Sequence, residues 1–146
     1  MKTSQLLLKL KKCMEKYKPK MQNNRKNDSL NQIMSKYNLK NFNEIMNSSF
    51  DKLDEEVDEE KLKDLQNRID HYFSLYAPDD EDFKEFIKAI SIYLTFIAKK
   101  PLHPPGIVFS NGERVYKKDD VYYCTGKSIF IKDKLSLCKY CVCRGI

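Results

Sequence analysis

Long apolar runs are missing from this chain of 146 residues, and no stretch approaches the ~18 apolar residues that a membrane span needs. The segment LLLKLKK near the start is too short and too basic for the core of a signal peptide, and no small-residue cleavage site follows it. These absences argue against membrane and secretory proteins. We therefore expect a cytoplasmic protein with no membrane partner.

Recognisable catalytic motifs are also missing. The chain has no Walker phosphate-binding loop, no Gly-x-Ser-x-Gly elbow and no His-Glu-x-x-His helix. The zinc-deaminase signature is absent too, because no glutamate stands two positions after His103 and Leu137, in place of a proline, precedes Cys138. These absences favour a non-catalytic protein and leave the enzyme class without a candidate catalytic residue.

Positive charge is scarce in the middle of the chain and concentrated at its ends. Residues 1–26 carry nine basic and one acidic side chain, residues 27–100 carry ten and sixteen, and residues 101–146 carry eight and four. The formal net charge of +6 therefore belongs to the two ends. Such asymmetry can indicate a polyanionic partner such as nucleic acid, although a solvated lysine-rich surface gives the same pattern.

Apolar residues recur at helical spacing through the first hundred residues, which predicts a helical domain over residues 1–100. We expect a mainly α fold, a bundle of roughly four to five helices, with the last long helix at its centre because it is apolar on two sides. The predicted stripes contain Leu6, Leu7, Leu10, Cys13, Met14, Tyr17 and Met21; Leu30, Ile33, Met34 and Tyr37; Leu62, Leu65, Ile69, Tyr72, Phe73 and Tyr76; and Phe83, Phe86, Ile87, Ile90, Tyr93, Leu94 and Ile97.

Several polar residues of this part have structural interpretations. Cys13 falls within an apolar stripe and is expected to pack in the core. The acidic run 54–60 is interpreted as negative charge at a helix N-terminus, and Asp79 as the cap of the last long helix. His71 falls opposite its stripe and should lie at the surface. Residues 38–50 are expected to form a short helix of their own.

The chain changes character at Pro101. All four glycines and three of the five prolines follow residue 100. Short β-type runs alternate with turns, and Asn111-Gly112 is a strong hairpin signal. We expect a small β-meander lobe over residues 101–146, packed on the last helix, with strands in 107–109, 114–116 and 121–124. A lobe of this size needs a staple such as a bound metal.

Cysteine is rare until the end of the chain, where four of the five cysteines fall between Cys124 and Cys143. In a reducing cytoplasm, clustered cysteines are more often metal ligands than disulfides. Cys138 and Cys141 form a Cys-x-x-Cys pair, whose sulfurs can reach one tetrahedral ion from a tight turn. Cys124 supplies a third sulfur from the end of the predicted meander. The sequence therefore predicts a structural zinc site in the lobe.

The fourth ligand of this site is His103 or Cys143. His103 stands in a proline-rich corner with little conformational freedom, and a Cys₃His set is common for zinc. Cys143 lies two residues after Cys141 and could face the same side, but a third thiolate within six residues is crowded. These local arguments favour His103 and leave Cys143 as the alternative.

The segments LHPPGIVF, YYC and LCKYC together resemble the C-terminal pattern of an uncharacterised protein family of methanogenic archaea. That pattern runs His-Pro, a Gly and Phe turn, Tyr-Tyr-Cys-Pro and Leu-Cys-x-Phe-Cys. This chain departs from it at Ser110-Asn111, where the family has Pro-Gly, and at Thr125, where it has proline. The resemblance implies an archaeal, cytoplasmic protein without a known activity, and it favours His103, because Cys143 has no counterpart. The matching residues are His103, Pro104, Gly106, Phe109, Tyr123, Cys124, Leu137, Cys138 and Cys141.

Three classes of function fit these observations. The first is a binding or interaction module whose lobe is held by zinc, with a protein or nucleic acid as partner. The second is a metalloenzyme of unknown reaction, and the third is an iron–sulfur protein, because the same ligands could hold a cluster. The nucleic-acid alternative depends on basic and aromatic residues of the lobe, namely Lys117, Lys118, Lys127, Lys132, Lys134, Lys139 and Arg144 with Tyr116, Tyr122, Tyr123, Phe130 and Tyr140.

Overall fold

The structure, a computed structural model, describes residues 1–16, 29–48 and 54–145. The helices in these ranges are α1 (Thr3–Met14), α2 (Ser29–Asn47), α3 (Glu59–Tyr76), α4 (Glu81–Ile92) and the short α5 (Lys127–Phe130). Strands β1 (Val115–Lys118), β2 (Val121–Cys124) and β3 (Arg144–Gly145) form one sheet in the order β1-β2-β3. The prediction of a mainly helical protein with a small C-terminal sheet is confirmed. None of the helices in the described ranges combines the length and the apolar content of a membrane span.

Helix α4 lies at the centre of the fold, as its two apolar sides predicted. Helices α1, α2 and α3 all pack against it, and it continues without a break into a π-helix, Tyr93–Ala98. The last four residues of α4 and three of the six residues of the π-helix are buried. Lys99, with φ of 55°, adopts the left-handed conformation that ends the π-helix before the buried Pro101.

Carboxylates occupy the N-termini of three helices. Asp58 caps α3 by accepting from the Lys61 backbone N–H, and Asp80 caps α4 in the same way. Asp54 reaches across to α1, where its carboxylate accepts hydrogen bonds from the backbone and the hydroxyl of Ser4. The interpretation of the acidic run as charge at a helix N-terminus is therefore confirmed at α3 for Asp58, Glu59 and Glu60, whereas Asp54 serves α1 instead.

The helical predictions need four corrections. Residues 38–47 continue α2 instead of forming a separate helix, since nothing in Asn38–Asn47 interrupts the backbone hydrogen bonds. The α4 cap is Asp80 and not Asp79. Tyr72 and Tyr76 are exposed, because the buried stripe of α3 follows Leu62, Leu65, Ile69 and Phe73. Ile33 is also exposed. The predicted stripe residues Tyr17 and Met21 lie outside the described residues.

The sheet differs from the predicted meander in both partners and direction. The first expected strand is reduced to a single bridge between Val108 and Arg114. The third strand is instead β3 from the end of the chain, which pairs with β2 in parallel. Asp119 and Asp120 form the β1–β2 turn with φ of 51° and 65°, the backbone of a type I′ hairpin. Asn111-Gly112 turns the chain before β1.

The C-terminal lobe packs directly on the helices. Leu102, Leu137 and Tyr140 pack against the large helical core, while Met34 of α2 packs against a second cluster. That second cluster has three buried residues, Ile107, Val115 and Cys143. The two separate buried clusters are consistent with a helical part and a C-terminal lobe. The domain boundary at residue 100 stays a prediction.

The burial pattern of α3 generates a test of the core. Leu65 is 0% exposed and Leu75 on the same helix is 57% exposed. We expect Leu65→Ala to lower the free energy of unfolding by about 2–5 kcal/mol, because it leaves a cavity in a packed core. The matched change Leu75→Ala should stay within about 0.5 kcal/mol of the parent. Urea denaturation followed by circular dichroism measures both, and equal losses would contradict the assignment of the buried face.

Candidate functional site

A cavity of about 550 Å³ lies between the lobe and the helices. Helix α2 lines it with Met34 and Asn38, and α4 with the π-helix lines it with Ile90 and Leu94 among others. The lobe contributes every residue that the sequence singled out as a metal ligand, namely His103, Cys124, Cys138, Cys141 and Cys143. The fold thus gathers side chains from three separate segments of the lobe around one space.

Short-range structure explains how each cysteine reaches the cavity. Cys124 is the last residue of β2, and Cys143 immediately precedes β3, its parallel neighbour. Cys138 and Cys141 lie at the two ends of one turn, in which the Cys141 N–H donates to the Cys138 carbonyl at 3.2 Å. The Cys138 N–H is held by the Ser136 hydroxyl at 3.0 Å. The tight turn predicted from the Cys-x-x-Cys spacing is therefore confirmed.

The pKa values of Cys141 and Cys143 depend on each other. A hydrogen bond between their side chains lowers the pKa of Cys141 to about 6, and the backbone N–H of Leu102 adds to this effect. The same hydrogen bond, together with burial, raises the pKa of Cys143. Of the two thiols, Cys141 therefore loses its proton more readily than Cys143.

Burial has the largest effect on the pKa values of Cys124 and His103. Burial raises the pKa of the Cys124 thiol, although the backbone N–H groups of Gly126 and Lys127 act in the opposite direction. Burial lowers the pKa of His103, which favours the neutral imidazole, the form that binds metals. The His103 ring meets Phe109 edge-on, with the ring centroids 5.0 Å apart. Leu102, its neighbour in the chain, contacts the Cys141 sulfur through the backbone N–H.

Lys127 supports the cysteine segment from α5. Its ammonium donates to the carbonyl oxygens of Cys141 at 2.8 Å and Cys143 at 2.6 Å. It thereby holds the end of the chain in place beside β2. Sequence analysis missed this role, because a lysine fourteen residues before Cys141 gives no local signal of the contact.

A polar contact fixes the Cys-x-x-Cys turn to α3. Tyr140, which stands between the two cysteines, donates its hydroxyl to the Asp64 carboxylate. Arg68 donates to Asp64 at 3.0 Å and to the Ser136 carbonyl at 2.9 Å. These residues were also missed from the sequence, since they lie far from the cysteines along the chain. Their contacts set the position of the turn relative to the helices.

The side chains that line the cavity are of the types that bind zinc, but they are not arranged around one point. Thiolates and a neutral imidazole are the usual protein ligands of zinc. Among the residues that the structure describes, however, no three His, Cys, Asp or Glu side chains are arranged to hold one ion. Binding would therefore have to draw the donors that line the cavity inward. Neither His103 nor Cys143 is decided as fourth ligand by this arrangement.

The chain belongs to a protein family described as "Uncharacterized protein conserved in archaea (DUF2115)", whose model matches residues 3–146. It is 44% identical to the UPF0305 protein MJ0646 of Methanocaldococcus jannaschii over 79% of this chain and 70% of that protein. It is 32% identical to a UPF0305 protein of Methanococcus maripaludis strain C6 over 70% of this chain and 63% of that protein. A UPF0305 protein of Methanothermobacter thermautotrophicus is 34% identical over 59% of this chain and 53% of that protein.

These relatives confirm the resemblance to an archaeal family found in methanogens. The chain spans less than two thirds of the length of the last two relatives. No solved structure shows a significant match. Whether the relatives share the histidine and cysteine pattern stays a prediction, as do the cofactor and the site residues.

The contact between Tyr140 and Asp64 generates a test with a pH readout. The Tyr140 hydroxyl, more than Arg68, lowers the pKa of Asp64. A lowered folded-state pKa means that the contact stabilises the fold above the ordinary carboxyl pKa, and that this stabilisation is lost as the pH falls through the lowered value. We expect Tyr140→Phe to raise the Asp64 pKa toward its ordinary range in an NMR titration of the carboxyl carbon. Tyr123→Phe is the control, and an unchanged pKa in Tyr140→Phe would contradict the contact.

Proposed function

We propose that the C-terminal lobe binds one structural zinc ion through Cys124, Cys138 and Cys141, with His103 or Cys143 as fourth ligand, and that it serves as a binding module. The observation that carries this proposal is the shared cavity, since all five side chains line it although they come from different segments. His103 and Cys124 are distant in sequence from the segment 138–143, and the fold brings them to the same cavity.

The small core of the lobe supports a structural role for the metal. Only three residues form its buried cluster among those described, and two of its three strands have four residues. A lobe with so little buried apolar surface gains much of its stability from a cross-link. Bound zinc would supply this cross-link by joining β2 to the Cys-x-x-Cys turn, and its binding free energy would become folding free energy.

Two observations bear on the fourth ligand. The pKa of Cys141 is lowered mainly by the Cys143 side chain, which places Cys143 close to one of the three proposed cysteine ligands. His103 is half-buried, its pKa is lowered by burial, and its ring contacts Phe109. The electrostatic interaction with Cys141 favours Cys143, whereas the resemblance to the archaeal pattern favours His103. Both candidates are testable with small substitutions.

An iron–sulfur cluster is the second candidate. Four cysteines line the cavity, and a cluster with four thiolate ligands is larger than a single ion. A cavity of about 550 Å³ is ample for the larger group. Elemental analysis together with a visible absorption spectrum separates the two, because zinc is colourless and iron–sulfur clusters absorb in the visible range.

The central experiment is metal analysis of the protein purified without exposure to air. We expect about one equivalent of zinc per chain, which Cys138→Ser should lose, because a Cys-x-x-Cys pair supplies half of a tetrahedral set. Cys13→Ser is the matched control, because Cys13 packs against the helical core outside the lobe. Binding of less than about a tenth of an equivalent by the parent, with no uptake on titration, would overturn the proposal.

The same site predicts a local effect on folding. Without its metal, Cys138→Ser should leave residues 101–146 open to proteolysis while most of the helical circular dichroism persists, because α1 to α4 have their own core. Mass spectrometry of the fragments locates the cuts. Equal resistance of the lobe in the variant and the parent would show that the lobe does not depend on a metal.

The fourth ligand is identified by comparing Cys143→Ala with His103→Ala. From the contact between Cys141 and Cys143 we expect Cys143→Ala to lower zinc affinity at least about tenfold more than His103→Ala. Competition with a chromogenic chelator ranks the two variants. The reverse ranking would assign His103, as the resemblance favours, and equal retention of metal by both would contradict a four-ligand site.

A further inference from the structure

We propose that the solvent-facing side of the three-stranded sheet binds single-stranded nucleic acid. The residues of this outer sheet face are Arg114, Tyr116, Lys118, Tyr123 and Arg144. The inference goes beyond the zinc proposal, because none of these residues is a candidate ligand or lines the cavity. Of the basic and aromatic residues that the sequence singled out in the lobe, this surface keeps four, and it adds Arg114.

The sheet register places these residues on one face. Tyr116 is paired with Tyr123 across β1 and β2, and Tyr123 is paired with Arg144 across β2 and β3. Directly paired residues share a face, and alternate residues along a strand face opposite sides. Lys118 and Arg114 lie two positions on either side of Tyr116, so they belong to the same face.

The opposite face of the sheet points into the protein. Val115 is paired with Cys124, and both line the cavity between the lobe and the helices. Tyr122 packs against the cluster that contains Val115. The sheet therefore separates two environments, a cysteine-lined interior and a basic, aromatic exterior. Tyr122, although chemically similar to Tyr123, is excluded from the outer face by this alternation.

Two aromatic rings lie together at the centre of the outer sheet face. The rings of Tyr116 and Tyr123 are stacked, with centroids 5.3 Å apart and planes 23° from parallel. The Arg114 guanidinium lies over Tyr116 at 4.9 Å from the ring centroid. Unpaired bases stack on aromatic rings and on guanidinium planes, and small sheets that bind single strands use paired aromatics for about two or three bases. Because the two rings cover one face of each other, a base would stack on a remaining face of the pair or on the Arg114 guanidinium.

The charge of this face complements a phosphate backbone. Arg114, Lys118 and Arg144 are exposed, and none forms an ion pair with a carboxylate in the part of the chain that the structure describes. The nearby Asp120 pairs with Lys117, which lies on the other side of β1. Three unpaired cations around two half-buried rings suit a ligand that carries both negative charge and flat apolar groups. Unpaired nucleotides have both, whereas the bases of a duplex are hidden from stacking.

Binding is measured by fluorescence anisotropy with the full chain as purified. The probes are labelled oligouridylate and oligothymidylate of about eight nucleotides, a length within the range of small single-strand sites. We expect Tyr123→Ala to weaken binding about tenfold through lost stacking, and Tyr123→Phe to stay within about twofold of the parent, because the ring remains. Whichever probe binds more tightly identifies RNA or DNA as the preferred strand.

The charged residues have a separate readout. Arg144→Ala should weaken binding and reduce the slope of log affinity against log salt concentration by about 0.7, the value for one phosphate contact with a single strand. Lys63→Ala, an exposed lysine on α3, is the control for net charge. Tyr76→Ala is the control for an exposed aromatic residue, because Tyr76 is exposed, contacts the Tyr72 ring at a tilt of 44° and lies outside the sheet.

Four results would overturn the proposal. They are no binding of either probe at low salt, equal binding by Tyr123→Ala and the parent, equal losses in the control variants, and binding of an RNA duplex as tight as that of the single strands. Metal content and circular dichroism are measured on the same samples. A failure of the zinc site is then distinguishable from a failure of the outer sheet face, because Tyr123→Phe and Arg144→Ala should change neither measurement.

Discussion

The rest of the structure depends on one constraint. Helix α4 and the π-helix that continues it must be buried on two sides. A helix that is apolar on two sides must be covered on both, since exposed apolar surface costs free energy in water. Helices α1, α2 and α3 cover one part of it. On another side, Ile90 and Leu94 face the cavity that the C-terminal lobe closes. The lobe is therefore a structural partner of the helical part, and the cavity is a consequence of how the two meet.

Polar contacts fix the position of the lobe on the helices. Apolar burial has no preferred direction, so it alone would let the lobe slide along the helices. The hydrogen bonds of Asp64 and Arg68 to Tyr140 and Ser136 remove that freedom at the Cys-x-x-Cys turn. At the start of the lobe, the Tyr37 hydroxyl of α2 donates to the Pro101 carbonyl at 2.5 Å. The cysteines are thus presented to the cavity by contacts that involve no cysteine side chain.

The two proposals use opposite faces of one sheet. Residues at alternate positions of β2 serve them, since Cys124 faces the cavity and Tyr123 faces solvent. A metal that held Cys124 would also fix the strand that carries Tyr123. This gives a physical reason for a metal in a binding module, because rigid side chains lose less entropy when they bind a ligand. It also explains how one short lobe can be stabilised and functional without sharing residues between the two roles.

The sequence by itself determined the features that depend on neighbours along the chain. Apolar spacing located α1, α3 and α4, placed Leu65 in the core and His71 at the surface, and identified the cysteines whose turn the structure contains. It failed where distant segments meet. The pairing of Tyr123 with Arg144 and the contact of Asp64 with Tyr140 join residues with no shared local pattern. Periodicity and ligand spacing are written into consecutive residues, whereas the parallel β3, the fixing of the turn to α3 and the two-sided sheet depend on which surfaces packing brings together.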